Sequence, residues 1–360
     1  MNDKRIIFID FIKGVAITCV VLLHIDYNFY NSSLFNIKSL LGGLWHVPVF
    51  FVVSGYFLSE QKLSKPLDFV KKKINPLYLK PLYLYLIVSA CHNLFVKMGW
   101  VYEGAVEWSF KEYIMVLIKN ICMLAREDLC GAMWYVDSLL IGLITFSCLT
   151  YLINKIITSN SERIILRFII IFTFACISNI LTNKYNVTIP RISNSLSALL
   201  LLQIGQLIGQ VFNPKYNNLS ALIFSIIIVS YYVVTDGSIA LNNNRYSNIP
   251  QLVLSSVSVF YILAFIGNKF KKTKIIHLFS YCGSYSFWIM GLHFIAFKMC
   301  TSILAILHID IIPGRYLTTP PLRSDVVLLF VYLIVGLLLP IVMIKVWNWL
   351  YFNLFKMVTK

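Results

Sequence analysis

An acid, a base and an imidazole interrupt the first apolar stretch of the chain, residues 6–25. Asp10 and Lys13 are three positions apart, and His24 follows Lys13 after ten intervening residues. On a helix, eleven steps of 100° place Lys13 and His24 only about 20° apart around the axis and roughly 16 Å apart along it. Asp10 and Lys13 are spaced to form an ion pair.

Two interpretations of this polar face stay open on spacing alone. An imidazole of ordinary pKa is the usual general base for a hydroxyl, which would make His24 a catalytic residue. The alternative is a structural role, with a snorkelling Lys13 and a core His24 hydrogen-bonded to a neighbouring helix. A charge placed at mid-bilayer costs on the order of 3 kcal/mol, so either role predicts a bundle interior or a wet cavity beside this face.

The composition indicates a helical membrane protein. Of 360 residues, 59% are hydrophobic and 13% are charged, with a mean hydropathy of +0.77. A soluble domain of this length carries more surface charge. We expect one all-α, membrane-embedded domain over residues 1–360 with about ten transmembrane helices, since each needs about 20 apolar residues. The predicted spans are 6–25, 41–59, 76–96, 134–153, 164–182, 193–212, 218–235, 250–267, 276–303 and 325–350.

The cations between the spans predict the topology. With the N-terminus in the cytoplasm, the inner segments hold 18 Lys and Arg residues and the outer segments hold 10. This bias follows the positive-inside rule and places both termini in the cytoplasm. It also accounts for the net charge of +16, so that no nucleic-acid partner is expected. The segment 110–124 is shorter and more polar, and it predicts an interfacial helix.

Other spans contain isolated polar or small residues. Ser54 and Gly55 permit close helix approach. Asp137 is unusual in a membrane and is a candidate partner for a buried base. Gln203, Gln206 and Gln210 form a polar stripe that favours interhelical hydrogen bonding. The eight cysteines show no spacing typical of a metal site, so no metal is expected.

Two motifs in the first two spans resemble those of the acyltransferase family 3 membrane proteins. The family's first helix has a basic residue, ten further residues and a histidine, and its second helix has Phe-Phe-x-x-Ser-Gly. The corresponding residues are Lys13 and His24, followed by Phe50 to Gly55. Weaker matches follow in order at 69–81, 133–142 and 284–297. The family commonly has arginine where this chain has Lys13 and the loop lysines, and lysine lacks the bidentate fork of arginine.

The resemblance implies a reaction and a donor. Members move an acyl group, usually acetyl, from cytoplasmic acetyl-CoA to a sugar hydroxyl of an envelope glycan such as O-antigen, capsule or exopolysaccharide. His24 would be catalytic, either as the base for the hydroxyl or as an acylated carrier, and Lys13 and Asp10 would support it. The phosphates of CoA would be attracted to a group of basic residues. The alternative is that these residues only set the orientation of the chain in the membrane. Those residues are Lys71, Lys72, Lys73, Lys80 and the group at 269–274.

The resemblance also implies a pocket for the acceptor. The residues expected to line it are His46, Ser54, Trp134, Asp137 and His293. Structural alternatives are an interfacial anchor for His46, an aromatic belt for Trp134 and a satisfied core histidine for His293. The implied partners are a polysaccharide or lipid-linked sugar acceptor and membrane lipids of a bacterial plasma membrane, and homo-oligomerisation is left open.

Two other classes of protein remain as rivals. A transporter or flippase for an envelope precursor also has intramembrane charges, but it predicts paired, broken helices in two related halves. The sequence has no such symmetry. A non-catalytic scaffold has no need of Lys13 and His24 on one face.

Overall fold

The computed structural model describes residues 7–26, 43–101, 104–124, 127–235, 237–307 and 326–358. This part of the chain is helical, and its one recorded extended pairing is an isolated bridge between Ala240 and Arg245. The α-helices are α1 (Ile7–Asp26), α2 (His46–Tyr56), α3 (Glu60–Leu63), α4 (Pro66–Ile74), α5 (Lys80–Ala90), α6 (His92–Lys97), α7 (Phe110–Ile121), α8 (Trp134–Ile156), α9 (Asn160–Tyr185), α10 (Ile192–Gln206), α11 (Leu219–Val234), α12 (Ile249–Lys269), α13 (Lys274–Ser284), α14 (Ser286–Ile306) and α15 (Val326–Val358).

Seven of the described helices are long and apolar enough to cross a membrane. They are α1, α8 with the turn before it, α9, α10 with the turn after it, α12, α14 and α15. The apolar helices α2 and α11 are shorter, and they occupy the second and seventh predicted spans. The all-helical, membrane-spanning class is thus confirmed, whereas the count of ten and the cytoplasmic termini stay predictions.

Some of the residues behind the topology prediction lie outside the described part of the chain. They are the loop cations Lys4, Arg5, Lys38, Arg126, Arg315, Arg323 and Lys360, with residues 6, 41, 42 and 325 at the starts of predicted spans.

Two predicted spans are each broken into shorter helices. The span predicted at 76–96 consists of a π-helical turn (Asn75–Leu79) followed by α5 and α6, which meet at Cys91. The eleven residues of α5 extend only about 16 Å. The span predicted at 276–303 is broken at Tyr285, between α13 and α14. Gly283 and Ser284, which are weak helix formers, precede this break.

Helix α1 lies at the centre of the bundle and packs against α2, α12, α13, α14 and α15. Two glycines allow α1 and α13 to touch backbone to backbone. A Cβ on Gly14 would overlap the carbonyl oxygen of Phe279, and one on Gly283 would overlap that of Asp10. The break at Tyr285 therefore frees α13 to lie along α1 independently of α14.

The small residues of α2 have the packing role expected of them. A Cβ on Gly55 would overlap the carbonyl oxygen of Leu202 in α10, and one on Gly205 would overlap that of Val52. Ser54 is thereby placed on a helix whose position is tightly determined by α10.

Arg167 ties three helices to α9 in the interior. Its side chain is 2% exposed, and it donates to Glu60 Oε2 at 2.7 Å and to Thr150 Oγ1 at 3.1 Å. It also donates to Gln203 Oε1 at 2.8 Å and to Gln206 Oε1 at 2.9 Å. The interhelical hydrogen bonding predicted for the glutamine stripe is confirmed. The topology prediction counts Arg167 among its 18 inner cations, and the structure places its guanidinium inside the bundle, where four helices meet.

The segment predicted as an interfacial helix forms α7. Glu112 Oε2 accepts from the backbone N–H of Ser109 at 2.7 Å and from its hydroxyl at 2.8 Å. These two hydrogen bonds stabilise the helix start and hold the pKa of Glu112 below its ordinary value. Apolar side chains such as Phe110 and Ile118 stay exposed on α7, as an interfacial helix requires.

Candidate functional site

Helices α1 and α2 pack side by side and place the candidate residues at opposite ends of the bundle. At one end, Phe8 of α1 meets Tyr56 of α2, with ring centroids 6.1 Å apart. At the other end, His24 of α1 and His46 of α2 line one cavity. The two helices are therefore antiparallel, and each end of the pair opens on a cavity of its own.

The histidine cavity is the space around His24 and His46, with a volume of about 390 Å³. One wall of this cavity is formed by Trp134 and Tyr135, at the start of α8. Another wall is formed by the segment 238–243, which is held in place by a hydrogen bond from the N–H of Ile239 to the carbonyl of Gly43 at 2.8 Å. The lining thus includes two imidazoles, the amides of Asn242 and Asn243, and three large aromatic rings, the third being that of Phe294.

His24 is held in this cavity by packing, and no side chain or backbone group of the described residues forms a hydrogen bond with its ring. Its imidazole lies 5.2 Å from that of His293 and 4.7 Å from the ring of Phe294, centroid to centroid. The side chain is partly exposed towards the cavity. Within the described part of the chain the imidazole is therefore left to face the cavity, and a general base needs one unprotonated ring nitrogen in such a position.

His293 lies behind His24 and is fully buried. Its Nδ1 lies 2.9 Å from the carbonyl oxygen of Ile289 and 3.1 Å from that of Met290. Carbonyls only accept, so Nδ1 carries the proton and Nε2 is an acceptor. Within the described part of the chain Nε2 has no hydrogen-bond partner, and the same is true of Nδ1 of His46.

The lysine cavity opens at the opposite end and has a volume of about 690 Å³. Four ammonium groups from α3, α4 and the link between them line it. They belong to Lys62, Lys65, Lys72 and Lys73. Burial, and secondarily the charge of Lys62, lowers the pKa of Lys73. One carboxylate, that of Asp68, also lines the cavity, so that positive charge is in excess and suits an anionic ligand.

The four lysines that the sequence grouped together do not share one site. Lys72 and Lys73 line the lysine cavity, whereas Lys71 is exposed and does not. Lys80 lies over the ring of Trp288, 5.9 Å from its centroid, in a separate groove of about 740 Å³ between α5, α14 and α15. Sequence reasoning did not group Lys62 and Lys65 with the other lysines of this cavity, because it used them only for topology.

The two cavities lie close to each other, because both are lined by residues of α2 and of α8. On α2, His46 lines the histidine cavity and Ser54 lines the lysine cavity, about 12 Å further along. On α8, Tyr135 lines the first and Leu139 the second, about 6 Å apart. The hydroxyls of Ser54 and Tyr135 lie 3.2 Å apart at this border.

Comparison with known families identifies the family of the chain. The sequence model of an acyltransferase domain matches residues 6–345, and this range includes both cavities. The chain belongs to acyltransferase family 3. Among curated proteins and among solved structures, nothing matches the chain. With its several membrane-crossing helices, the protein is a multi-pass membrane acyltransferase.

The remaining candidates of this acyltransferase lie apart from the imidazoles. Asp10 and Lys13 form the predicted ion pair, with Lys13 Nζ 2.6 Å from Asp10 Oδ1, yet neither lines either cavity. Asp137 is buried and lies 3.4 Å from Nε of Arg191 at the start of α10. The carboxylate suggested as a partner for a base is thus paired with a guanidinium.

Sequence reasoning overlooked Tyr135 altogether. It is next to Trp134 in the motif at 133–142, and its ring packs on those of Phe51 and Phe50 at centroid distances of 4.6 and 5.6 Å. The aromatic pair of the second motif thereby supports the residue that stands between the cavities. The chain has 21 tyrosines, and nothing in the sequence around Tyr135 distinguishes it from the others as a functional residue.

Proposed function

We propose that this acyltransferase moves an acetyl group from acetyl-CoA to a sugar hydroxyl of a cell-envelope polysaccharide or its lipid-linked precursor. One observation carries the proposal: a cationic cavity and an imidazole-lined cavity lie next to each other, and the hydroxyl of Ser54 in the first lies 3.2 Å from that of Tyr135 in the second. A donor and an acceptor that approach from opposite ends of the bundle can therefore meet without either crossing it.

The lysine cavity is the proposed site for the donor. The phosphates of CoA are strongly anionic, and Lys62, Lys65, Lys72 and Lys73 surround the cavity as point charges. Its volume of about 690 Å³ falls within the usual range for small-molecule and cofactor sites. Under the positive-inside topology this end of the bundle is cytoplasmic, where acetyl-CoA is made.

The histidine cavity is the proposed site for the acceptor. Sugars offer hydroxyl groups and one weakly polar face, which match amides and an aromatic ring respectively. Asn242, Asn243 and Trp134 supply these groups. In a bacterial plasma membrane this cavity would face outwards, where envelope glycans are exposed.

His24 is the proposed base for the transfer. It takes the proton of the attacking hydroxyl while the hydroxyl oxygen forms a bond to the acyl carbon. The carbon–sulfur bond then breaks, and the proton passes from His24 to the leaving thiolate, which gives an ester and free CoA. Transient acylation of His24 itself is the second route with the same net balance. The Asp10–Lys13 pair acts at a distance, because it holds the end of α1 that packs on α13.

The test is turnover of labelled acetyl-CoA by the purified full chain in lipid nanodiscs. Loss of a general base typically lowers the rate 10²–10⁴-fold, so we expect a fall of about that size for His24→Ala. His277→Ala, which changes an exposed histidine on α13, is the matched control and should retain the wild-type rate.

Two outcomes would contradict the proposal. Wild-type rates in His24→Ala would remove His24 from the mechanism. A wild-type protein that consumes no thioester would favour the transporter. Mass spectrometry of envelope glycans from cells with and without the protein then identifies the acetylated sugar.

A further inference from the structure

One hydrogen bond between side chains crosses the border between the two cavities. Ser54 lines the lysine cavity, Tyr135 lines the histidine cavity, and their oxygens lie 3.2 Å apart. Within the described residues this is the one side-chain hydrogen bond recorded between a lining residue of one cavity and a lining residue of the other. Any group that passes between the cavities at this point must displace it.

The direction of this hydrogen bond follows from a second one. The Ser54 hydroxyl donates its only proton to the carbonyl of Phe50, at 2.8 Å. Its oxygen is therefore the acceptor for Tyr135, and the tyrosine proton points to the border. Tyr135 is 7% exposed, and Phe51 packs on its ring at a centroid distance of 4.6 Å. The donor is thus held in position before any substrate arrives.

We propose that Tyr135 is a catalytic residue that donates a hydrogen bond to the carbonyl oxygen of the acyl group during transfer. The inference rests on the function proposed above. Ser54 is the resting acceptor, and the thioester carbonyl that enters from the lysine cavity replaces it. While the attacking oxygen binds the acyl carbon and the carbon–sulfur bond breaks, negative charge develops on the carbonyl oxygen. Tyr135 stabilises that charge without giving up its proton.

The surroundings explain why a hydroxyl is needed at this point. Part of the wall of the lysine cavity is apolar: Phe57 and Leu58, which follow α2, and Leu139 and Leu143 of α8 have no side-chain donor. Ser54 is committed to Phe50. Donors preorganised around a developing oxyanion in a dry site are the largest single contribution in many acyl transfers. Tyr135 is preorganised in this sense, because Phe51 packs on its ring and its hydroxyl lies 3.2 Å from that of Ser54.

The first test is the variant Tyr135→Phe, which retains the ring and removes only the hydroxyl. Removal of one oxyanion donor lowers kcat by about 10²–10³-fold, and we expect that loss with KM for acetyl-CoA changed less than about twofold. The matched control is Tyr332→Phe. Tyr332 is also buried and also forms a hydrogen bond to a hydroxyl, that of Thr301 at 2.8 Å, but it lines neither cavity. It should retain wild-type kcat.

The outcomes of this test separate two failures. If wild type turns over acetyl-CoA and Tyr135→Phe does so equally fast, the role of Tyr135 is wrong and the proposed function stands. If wild type consumes no acetyl-CoA, the proposed function is itself wrong.

The second test needs no catalysis. The variant Ser54→Cys is placed in lipid vesicles, and a membrane-impermeant thiol reagent is added to one face of the membrane at a time. Labelling at position 54 is then measured by peptide mass spectrometry. We expect labelling from the face that bears Lys72 and Lys73 and protection from the other face. Combination with Tyr135→Ala should permit labelling from both faces. Two-sided labelling with Tyr135 intact, or one-sided labelling after its truncation, would overturn the placement of Tyr135 at the border.

Discussion

The imidazoles of His24 and His293 lie with their ring centroids 5.2 Å apart and their planes inclined by 32°. His293 binds its own helix through Nδ1, so that its buried Nε2 is left as an acceptor without a partner among the described residues. A buried polar atom in this condition typically costs about 1–3 kcal/mol of stability. Because this atom lies beside the proposed base, we expect His293 to contribute to function at the expense of stability.

The first prediction concerns His293→Phe. The substitution removes the orphaned Nε2, and the carbonyl of Ile289 can still accept the helical N–H of residue 293. The thermal unfolding midpoint should therefore stay equal or rise, while kcat falls about tenfold or more as His24 loses its polar neighbour. Differential scanning fluorimetry and acetyl-CoA turnover measure the two quantities.

His92→Phe is the contrasting control. His92 Nδ1 lies 2.9 Å from the buried carboxylate of Glu127, and its ring stacks on Trp108 at 3.6 Å, away from both cavities. Loss of one member of a buried pair is strongly destabilising. This variant should lower the midpoint and retain kcat. If His293→Phe behaves in the same way, His293 is a structural residue.

The second prediction separates lysines that the sequence treats alike. Lys72→Gln/Lys73→Gln removes two charges from the lysine cavity and should raise KM for acetyl-CoA about tenfold or more, because each charge attracts the CoA phosphates. Lys71→Gln/Lys80→Gln removes the same total charge outside the cavity and should leave KM within about twofold. Equal effects of both pairs would mean that only the overall charge of this face matters.

The third prediction is a pH dependence. Burial, together with the charge of Lys62, lowers the pKa of Lys73, so that this side chain is cationic at low pH and loses its charge as pH rises through the lowered pKa. KM for acetyl-CoA should therefore rise on the alkaline side, at a lower pH than an ordinary lysine would produce. Lys73→Arg stays charged and should move the rise to higher pH. If KM rises at the same alkaline pH in the wild type and in Lys73→Arg, the charge of Lys73 is not the cause of the rise.

The fourth prediction concerns the buried guanidinium. Arg167→Met leaves Glu60, Gln203 and Gln206 without a shared partner, and it should destabilise the fold by about 3–5 kcal/mol. Because Glu60 begins the helix that leads to Lys62 and Lys65, KM for acetyl-CoA should also rise. The control is Lys155→Met, which changes an exposed cation on α8 and should alter neither quantity. An unchanged unfolding midpoint in Arg167→Met would show that the network is dispensable.

What the sequence alone determined were properties that depend on neighbours along one helix. The apolar stretches predicted membrane-crossing helices, the i, i+3 spacing predicted the Asp10–Lys13 pair, and the spacing of Gln203 and Gln206 predicted their hydrogen bonds to another helix. These features repeat with the 3.6-residue period of the helix, which can be counted without knowing the fold.

Only the tertiary structure decided which of these faces meet. Ser54 and Tyr135 are 81 positions apart, and they touch because Gly55 and Gly205 bring α2 against α10, beside α8. Helix packing likewise separated Lys72 and Lys73 from Lys71 and Lys80, and paired Asp137 with Arg191. The physical reason is that a helix period specifies a face, whereas the neighbour of that face is selected by close packing between segments remote in the chain.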